Sequence, residues 1–261
     1  MDVIRGIAEL RTVLRSRGAG VVGLVPTMGA LHAGHESPFR AARAECATVV
    51  ASVFVNPAQF GDPADLQRYP RDEAHDVETA ERAGVDLLFA PAVEEMYPPG
   101  FDTWVDVERL GSILEGAFRP GHFRGVATIC LKLFNSVRPQ RVYFGQKDAQ
   151  QVQVIRQMIR DLHLDLELRV CPTVRDADGL ALSSRNVRLS PAERLRALAL
   201  PRALASGDPE TARAMLSGLD VGLDVEYLEV APFDPPVLAA AVRVGGVRLI
   251  DNVPLERGPS S

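Results

Sequence analysis

The sequence predicts an α/β fold: a parallel sheet with helices, followed by a smaller α+β C-terminal domain. Three observations carry this. Five short apolar or β-branched runs, at residues 21–25, 48–55, 85–91, 141–145 and 166–171, alternate with longer helical stretches. Strands that alternate with helices argue for crossover units and parallel pairing. Two of those runs lead through a glycine-bearing turn into a helix start, the arrangement found at the carboxyl edge of such sheets. After about Val174 the pattern changes to short helices and then strands, so domains are expected at residues 1–174 and 175–261.

The order of elements follows from local pattern. Residues 3–17 place Ile4, Ile7, Ala8, Leu10, Val13 and Leu14 near one helical face. Gly18 to Gly23 spells G-x-G-x-x-G, but it runs into a strand instead of following one, so it is no dinucleotide fingerprint. The strand at 21–25 is followed by Pro26-Thr27-Met28-Gly29-Ala30-Leu31-His32-Ala33-Gly34-His35 and a helix expected from Glu36, with Pro38 in its first turn. The strand at 48–55 ends in Asn56-Pro57-Ala58-Gln59. Residues 62–83 read as mostly helical with a break at Tyr69-Pro70-Arg71, 96–100 as a loop, and 103–108 as an exposed or edge strand. An apolar helix is expected over 126–137 and another from the Gln146–Gln151 region to Leu162. In the tail, helices are expected at 191–205 and 208–216. Strands are expected at 225–230 and 242–252, the latter broken by Gly245-Gly246.

Composition sets the class. The chain has 261 residues, 46% hydrophobic and 24% charged, enough for a globular core. A net charge of −5 argues against a protein that coats nucleic acid, which would carry a basic surface. Cys46, Cys130 and Cys171 lie far apart and match neither zinc nor redox spacing, so they read as buried small hydrophobes. With no signal-peptide pattern and no membrane-length apolar run, a cytoplasmic location is expected.

Five segments carry chemistry. At Pro26 to His35, free backbone N–H groups and the helix dipole make an anion site, to which His32 and His35 add N–H donors. Metal binding by the two histidines is the rival reading, but no further Cys or His stands at a matching spacing. Asn56 and Gln59 follow a strand end, where ligands of parallel sheets bind; ordinary turn chemistry is the alternative. Gly145-Gln146-Lys147-Asp148 again joins a strand to a helix start, with a cation for phosphate and a carboxylate for ribose hydroxyls. Ser183-Ser184-Arg185-Asn186, after an Asp-Gly turn, offers hydroxyls and a guanidinium to phosphate oxygens, or else a helix cap. Arg119, His122 and Arg124 lie in a glycine-rich stretch that suggests an anion-facing edge, with a solvated basic loop as the alternative. No G-x-S-x-G is present, which removes the common serine hydrolase arrangement.

His-Ala-Gly-His resembles the H-x-G-H signature of the nucleotidyltransferase superfamily. The longer string Val-Pro-Thr-Met-Gly-Ala-Leu-His-x-Gly-His resembles the pantothenate synthetase (pantoate–β-alanine ligase) family within it. Further blocks in order, at residues 54–60, 119–125, 144–151, 173–186 and 249–252, extend the similarity over most of the chain. The resemblance implies a Rossmann-like nucleotidyltransferase domain with a C-terminal lid. It implies ATP with Mg²⁺, attack of the pantoate carboxylate on the α-phosphate, and capture of pantoyl adenylate by β-alanine.

Position by position, the resemblance implies ATP contacts from Pro26, Thr27, Met28, Gly29, His32, His35, Gly145, Gln146, Lys147, Asp148, Val174, Leu182, Ser183, Ser184 and Arg185. Of these, His32, His35, Lys147, Ser183, Ser184 and Arg185 act on the phosphates during the reaction. Gln59 and Gln151, with Met28 and Asn56, would hold pantoate, and Arg119 would anchor the flap or a substrate anion. No metal-ligating side chain is implied. A homodimer is expected. Departures from the family pattern are Leu182 where methionine is common, Pro38 for an aliphatic residue, and a shorter tail. An enzyme of the same superfamily acting on a phosphorylated acceptor, and a nucleotide sensor without catalysis, are the competing readings.

Overall fold

The computed structural model describes residues 1–217 and 222–255; residues 256–261 of the expected C-terminal domain lie outside the described residues. The chain divides into two compact units. The first holds residues 1–145 and 154–171, and the second holds 146–153 and 172–261. The division therefore falls inside the helix Ala149–Asp161.

The first unit is built on a six-stranded sheet. Its strands are β1 (Asp2–Ile4), β2 (Val22–Thr27), β3 (Thr48–Val53), β4 (Leu87–Phe89), β5 (Arg141–Gly145) and β6 (Glu167–Cys171), in the order β1-β4-β3-β2-β5-β6. Every pairing is parallel. The chain winds one way from β2 through β3 to β4 and the other way from β5 to β6. The reversal between β2 and β5 makes a switch point, where ligands of open parallel sheets bind beyond the strand ends. Thr27 and Gly145 are the last residues of those two strands. β3 is buried at five successive positions, Thr48 to Ser52, as expected of a strand covered on both faces. Val25, Phe39, Val49, Ala51, Ala80, Leu88 and Tyr143 belong to one core cluster that joins the sheet to its helices.

The second unit has a three-stranded antiparallel sheet: β7 (Leu223–Ala231), β8 (Val237–Val244) and β9 (Val247–Pro254), in chain order. Helices Pro191–Ala197, Ala199–Leu204 and Pro209–Ser217 supply Ala197, Leu200, Leu204, Ala212 and Leu216 to a core shared with Leu238, Ala240, Val242 and Leu249.

Several sequence expectations are corrected. Residues 2–4 pair with β4 as a strand, and the first helix starts only at Ile7, after Gly6. The helix expected from Glu36 starts at Ala33, so Pro38 stands in its second turn and leaves the Gly34 carbonyl without its helical donor. The polar stretch at 62–83 divides into helices Pro63–Arg68 and Glu73–Arg82, each capped by an aspartate, Asp62 or Asp72. Residues 103–108 form no strand among the described residues. The Val105 N–H instead donates to Thr128 Oγ1 at 3.0 Å, a side-chain partner in place of a ladder. The helix expected at 126–137 begins at His122, because Gly121 at φ +80° turns the chain into it. Pro201 lacks the N–H that would bond the Ala197 carbonyl, and the expected single helix is two. Gly245-Gly246 is the turn of a hairpin between two full strands. The first of these strands starts at Val237, before the expected Val242, and is a central strand buried on both faces.

Candidate active site

In the first unit, β2 delivers the chain to a turn at Met28–Leu31 and then to the helix Ala33–Glu45, with His32 as its N-cap. Thr27 anchors the turn: its Oγ1 donates to the Ser52 carbonyl at 2.6 Å and accepts the Gly29 N–H at 3.1 Å. Gly29 has φ +80° and Ala30 φ +51°, so the turn is left-handed at two successive residues. A side chain at Gly29 is excluded twice over. The conformation disfavours it, and a Cβ would stand 2.7 Å from Asp76 Oδ2.

The two histidines hold each other. His32 Nδ1 accepts the Gly34 N–H at 3.1 Å, and His35 Nδ1 accepts the His32 N–H at 3.3 Å, a reciprocal cap built from imidazoles. The rings lie 4.2 Å apart, tilted by 51°. With both Nδ1 atoms accepting, each neutral ring carries its proton on Nε2. The pair thus offers two ring N–H donors at a helix N-terminus, where the backbone already favours an anion.

Residues that sequence reasoning passed over support this turn. Asp76, 1% exposed, accepts the Leu31 N–H at 2.7 Å and the Ala30 N–H at 3.1 Å. His75 donates through Nε2 to the Leu31 carbonyl at 3.2 Å. Burial pushes the Asp76 carboxyl above its ordinary value, and the two amide donors pull it back. The available signal was position: Asp76, Thr79 and Ala80, at i, i+3 and i+4, are the buried face of an otherwise polar helix.

After β3, Asn56 caps a short turn at Pro57–Gln59. Asn56 is 1% exposed, and protein groups engage both its polar atoms. Nδ2 donates to Gln59 Oε1 at 3.0 Å and to the Gly125 carbonyl at 3.1 Å, while Oδ1 accepts Tyr97 OH at 2.8 Å. Gln59 Nε2 donates to Met28 Sδ at 3.0 Å, so three of the four expected pantoate residues, Met28, Asn56 and Gln59, are joined here. Arg119 reaches the same turn, its Nη2 3.5 Å from the Gln59 carbonyl oxygen. Its guanidinium lies 3.2 Å from His122 Nε2, and His122 Nδ1 donates to the Gln59 carbonyl at 2.9 Å. Pro26 lies in β2 and Gly145 ends β5, at the switch point.

In the second unit, Gln146–Asp148 form a single tight turn, with Lys147 Nζ 3.5 Å from Asp148 Oδ1. Gln150 and Gln151 follow in the first turn of the helix Ala149–Asp161. Residues 174–182 form a small hairpin: the Leu182 N–H donates to the Val174 carbonyl at 2.9 Å, and Arg175 bridges Ala181. Gly179 at φ +94° makes its tip. The Arg194 guanidinium ties that tip down through Asp176 at 2.6 Å and Asp178 at 2.8 Å, and holds the Asp178 carboxyl below its usual range. Beyond the hairpin, Ser183 Oγ accepts the Arg185 N–H at 3.2 Å, and Asn186 Nδ2 donates to the Ala181 carbonyl at 2.9 Å. Lys147, Ser183, Arg185 and Arg248 line one small recess of this unit. Ser184 sits beside them in sequence, half-buried.

Comparison with known proteins agrees with this organisation. A family model described as pantoate-beta-alanine ligase matches residues 2–254. The pantothenate synthetase of Acidobacterium capsulatum is 51% identical, with 98% of this chain and 97% of that protein covered. That alignment runs over 290 positions against a chain of 261 residues, so the relative carries residues absent here. The crystal structure of pantothenate synthetase from Thermus thermophilus superposes with a TM-score of 0.91 at 46% identity, covering 97% of this chain and 99% of that one. Pantoate-beta-alanine ligase from Francisella tularensis, complexed with beta-gamma ATP and beta-alanine, gives 0.88 at 36% identity with both chains fully covered. A family match over nearly the whole length, with relatives near half identity, places this chain in the pantoate–β-alanine ligase family.

Proposed function

We propose that this protein condenses (R)-pantoate with β-alanine, using ATP, through a pantoyl-adenylate intermediate, and so makes pantothenate for coenzyme A synthesis. The observation that carries the reading is the reciprocal imidazole cap after the turn that follows β2: two Nε2–H donors at a helix N-terminus, with Gln59 bonded to Met28 of the same turn.

The chemistry needs no protein nucleophile, because the pantoate carboxylate is already ionised at neutral pH. It needs the carboxylate oriented behind the α-phosphorus, and it needs charge on the phosphate oxygens balanced as the new P–O bond forms. His32 and His35 donate Nε2–H to those oxygens and then to the departing pyrophosphate. The backbone at Pro26, Thr27, Met28 and Gly29 lies along the nucleotide, and Gln59 with Gln151 bonds the pantoate hydroxyl and carboxylate. Lys147 acts as a point charge on phosphate, Asp148 and Gly145 serve the ribose, and the Ser183-Ser184-Arg185 run serves the outer phosphates. Gln146, Val174 and Leu182 contribute backbone to the nucleotide. Asn56 takes part by fixing Gln59, since its own amide is engaged.

In the second half-reaction the neutral amine of β-alanine attacks the acyl carbon of the mixed anhydride. The C–N bond forms, the C–O bond to AMP breaks, and the amine sheds a proton to solvent. Mg²⁺ belongs to this scheme as part of the nucleotide substrate; it keeps water and phosphate oxygens as its main ligands. Among the described residues no group of three or more His, Cys, Asp or Glu is placed to hold a metal ion. A homodimer in the cytoplasm completes the reading. It rests on family resemblance; no helix of the described residues is long and apolar enough to cross a membrane.

The test is AMP formation from ATP with both pantoate and β-alanine present, together with pantoate-dependent exchange of pyrophosphate into ATP. Exchange supported by a phosphorylated acceptor instead of pantoate would replace this reading with the simple nucleotidyltransferase one.

A further inference from the structure

The last strand of the second unit carries two buried polar residues, Asp251 at 3% exposure and Asn252 at 4%. Neighbouring residues of a strand point to opposite sides, so the pair reaches two different segments.

Asn252 is spent on the Lys147 turn. Its Nδ2 donates to the carbonyls of Gln146 at 3.0 Å and Lys147 at 2.9 Å, and its Oδ1 accepts Gln146 Nε2 at 2.9 Å. Asp251 takes the Arg175 guanidinium at two points, 2.6 and 3.1 Å, and its Oδ1 also accepts the Asn252 N–H at 2.8 Å. Arg175 opens the hairpin that leads to Ser183–Arg185, and it donates again to the Gly179 carbonyl at 3.2 Å. The recess lined by Lys147, Ser183, Arg185 and Asp251 sits where these two sets of bonds meet.

We infer that Asp251 and Asn252 are positioning residues for adenylate formation: one dipeptide sets the Lys147 turn and the hairpin that leads to Ser183–Arg185 in a fixed relation inside the second unit. Neither touches the nucleotide. The inference rests on the function proposed above and adds to it the residues that place its phosphate donors. A two-point ion pair on a buried carboxylate and a fully used carboxamide leave each segment few other arrangements, which is what a site demanding sub-ångström placement needs.

The test measures the two half-reactions separately in the full-length protein. Pantoate-dependent pyrophosphate exchange reads the first; release of AMP from supplied pantoyl adenylate on addition of β-alanine reads the second. Asn252→Ala is expected to slow exchange about 10- to 100-fold and to change the second half-reaction by less than about threefold. In the Lys147→Ala background, Asn252→Ala is expected to add less than about threefold, since its effect runs through Lys147. Asp251→Asn, which keeps the shape but loses the ion pair, is expected to slow exchange at least tenfold as well. Exchange at the wild-type rate in both variants overturns the inference. So does an equal loss in both half-reactions that follows the fraction unfolded, and so does a full multiplicative loss on top of Lys147→Ala. If Asn252→Ala does not fold, Asp251→Asn alone decides. A wild-type protein without pantoate-dependent exchange would instead overturn the proposed function.

Discussion

Asp76 Oδ1 lies 2.7 Å from the Leu31 amide nitrogen, joining a helix carboxylate to the turn that presents both histidines. Its second oxygen accepts the Ala30 N–H at 3.1 Å, so a single buried side chain satisfies two successive turn amides. Asp76→Asn leaves one acceptor and sets an NH₂ against the other amide. A buried donor without a partner costs about 1–3 kcal/mol. The variant should unfold at lower urea, and its pyrophosphate exchange should fall at least tenfold at temperatures where it is fully folded. Wild-type exchange in the folded variant would show that the turn keeps its shape without the carboxylate.

The same residue gives a pH dependence whose sign is determined. Burial raises the folded-state value of Asp76 above 3.8; its amide donors and His75 oppose that shift, and Asp72 adds to it. The folded chain therefore holds a proton that the unfolded chain has already lost. The stability tied to that proton is fully present below 3.8 and is lost as pH rises through the folded-state value. Asp76→Asn removes this dependence. The stability difference, wild type minus variant, should shrink as pH rises through that acid range. Urea unfolding of both proteins at a series of pH values measures it, and a difference that is constant or grows with pH contradicts the assignment.

His35→Ala separates catalysis from folding. Loss of the Nδ1 acceptor leaves the His32 N–H at an exposed helix start, where capping losses run to about 1 kcal/mol. Loss of a preorganised donor to phosphate should cost roughly 100- to 1000-fold in adenylate formation. Rapid-quench measurement of pantoyl adenylate at saturating ATP is the check. A variant with normal turnover and lowered stability would leave His35 as a cap only.

The strand, glycine turn and helix at residues 22–45 were legible because each uses a strong local code: a β-branched run, a glycine forced to positive φ, and a helix start. The parallel pairing of the strands followed from alternation. Two kinds of feature were not legible. Short or low-contrast elements, such as residues 2–4 and the alanine-rich β8, take their conformation from long-range pairing. Residues that act by holding others, such as Asp76 and Asn252, look like solvated polar positions until the backbone they bond is seen. Asn56 shows the converse: its place at a strand end marked it as a ligand residue, while its amide is used on Gln59 and Gly125.

Gly125 offers a way to move Gln59 without changing it. The helix His122–Val137 packs so closely on the Pro57–Gln59 turn that a Cβ at position 125 would strike the Ala58 carbonyl and stand 2.7 Å from the Gln59 nitrogen. Both obstacles are backbone, so a turn of a side chain cannot relieve them; the turn itself must shift. Gly125→Ala should cost about 1–3 kcal/mol, as overpacking generally does. It should also raise the KM for pantoate about tenfold, approaching the effect of Gln59→Ala, because the carboxamide moves with the turn. ATP affinity should change by less than about threefold, since the His32–His35 cap is anchored through Thr27 and Asp76. Steady-state kinetics with each substrate varied in turn measures the split. Equal rises in both KM values would mean that the shift spreads through Met28 into the nucleotide turn, and that Gln59 and the histidines form one rigid assembly.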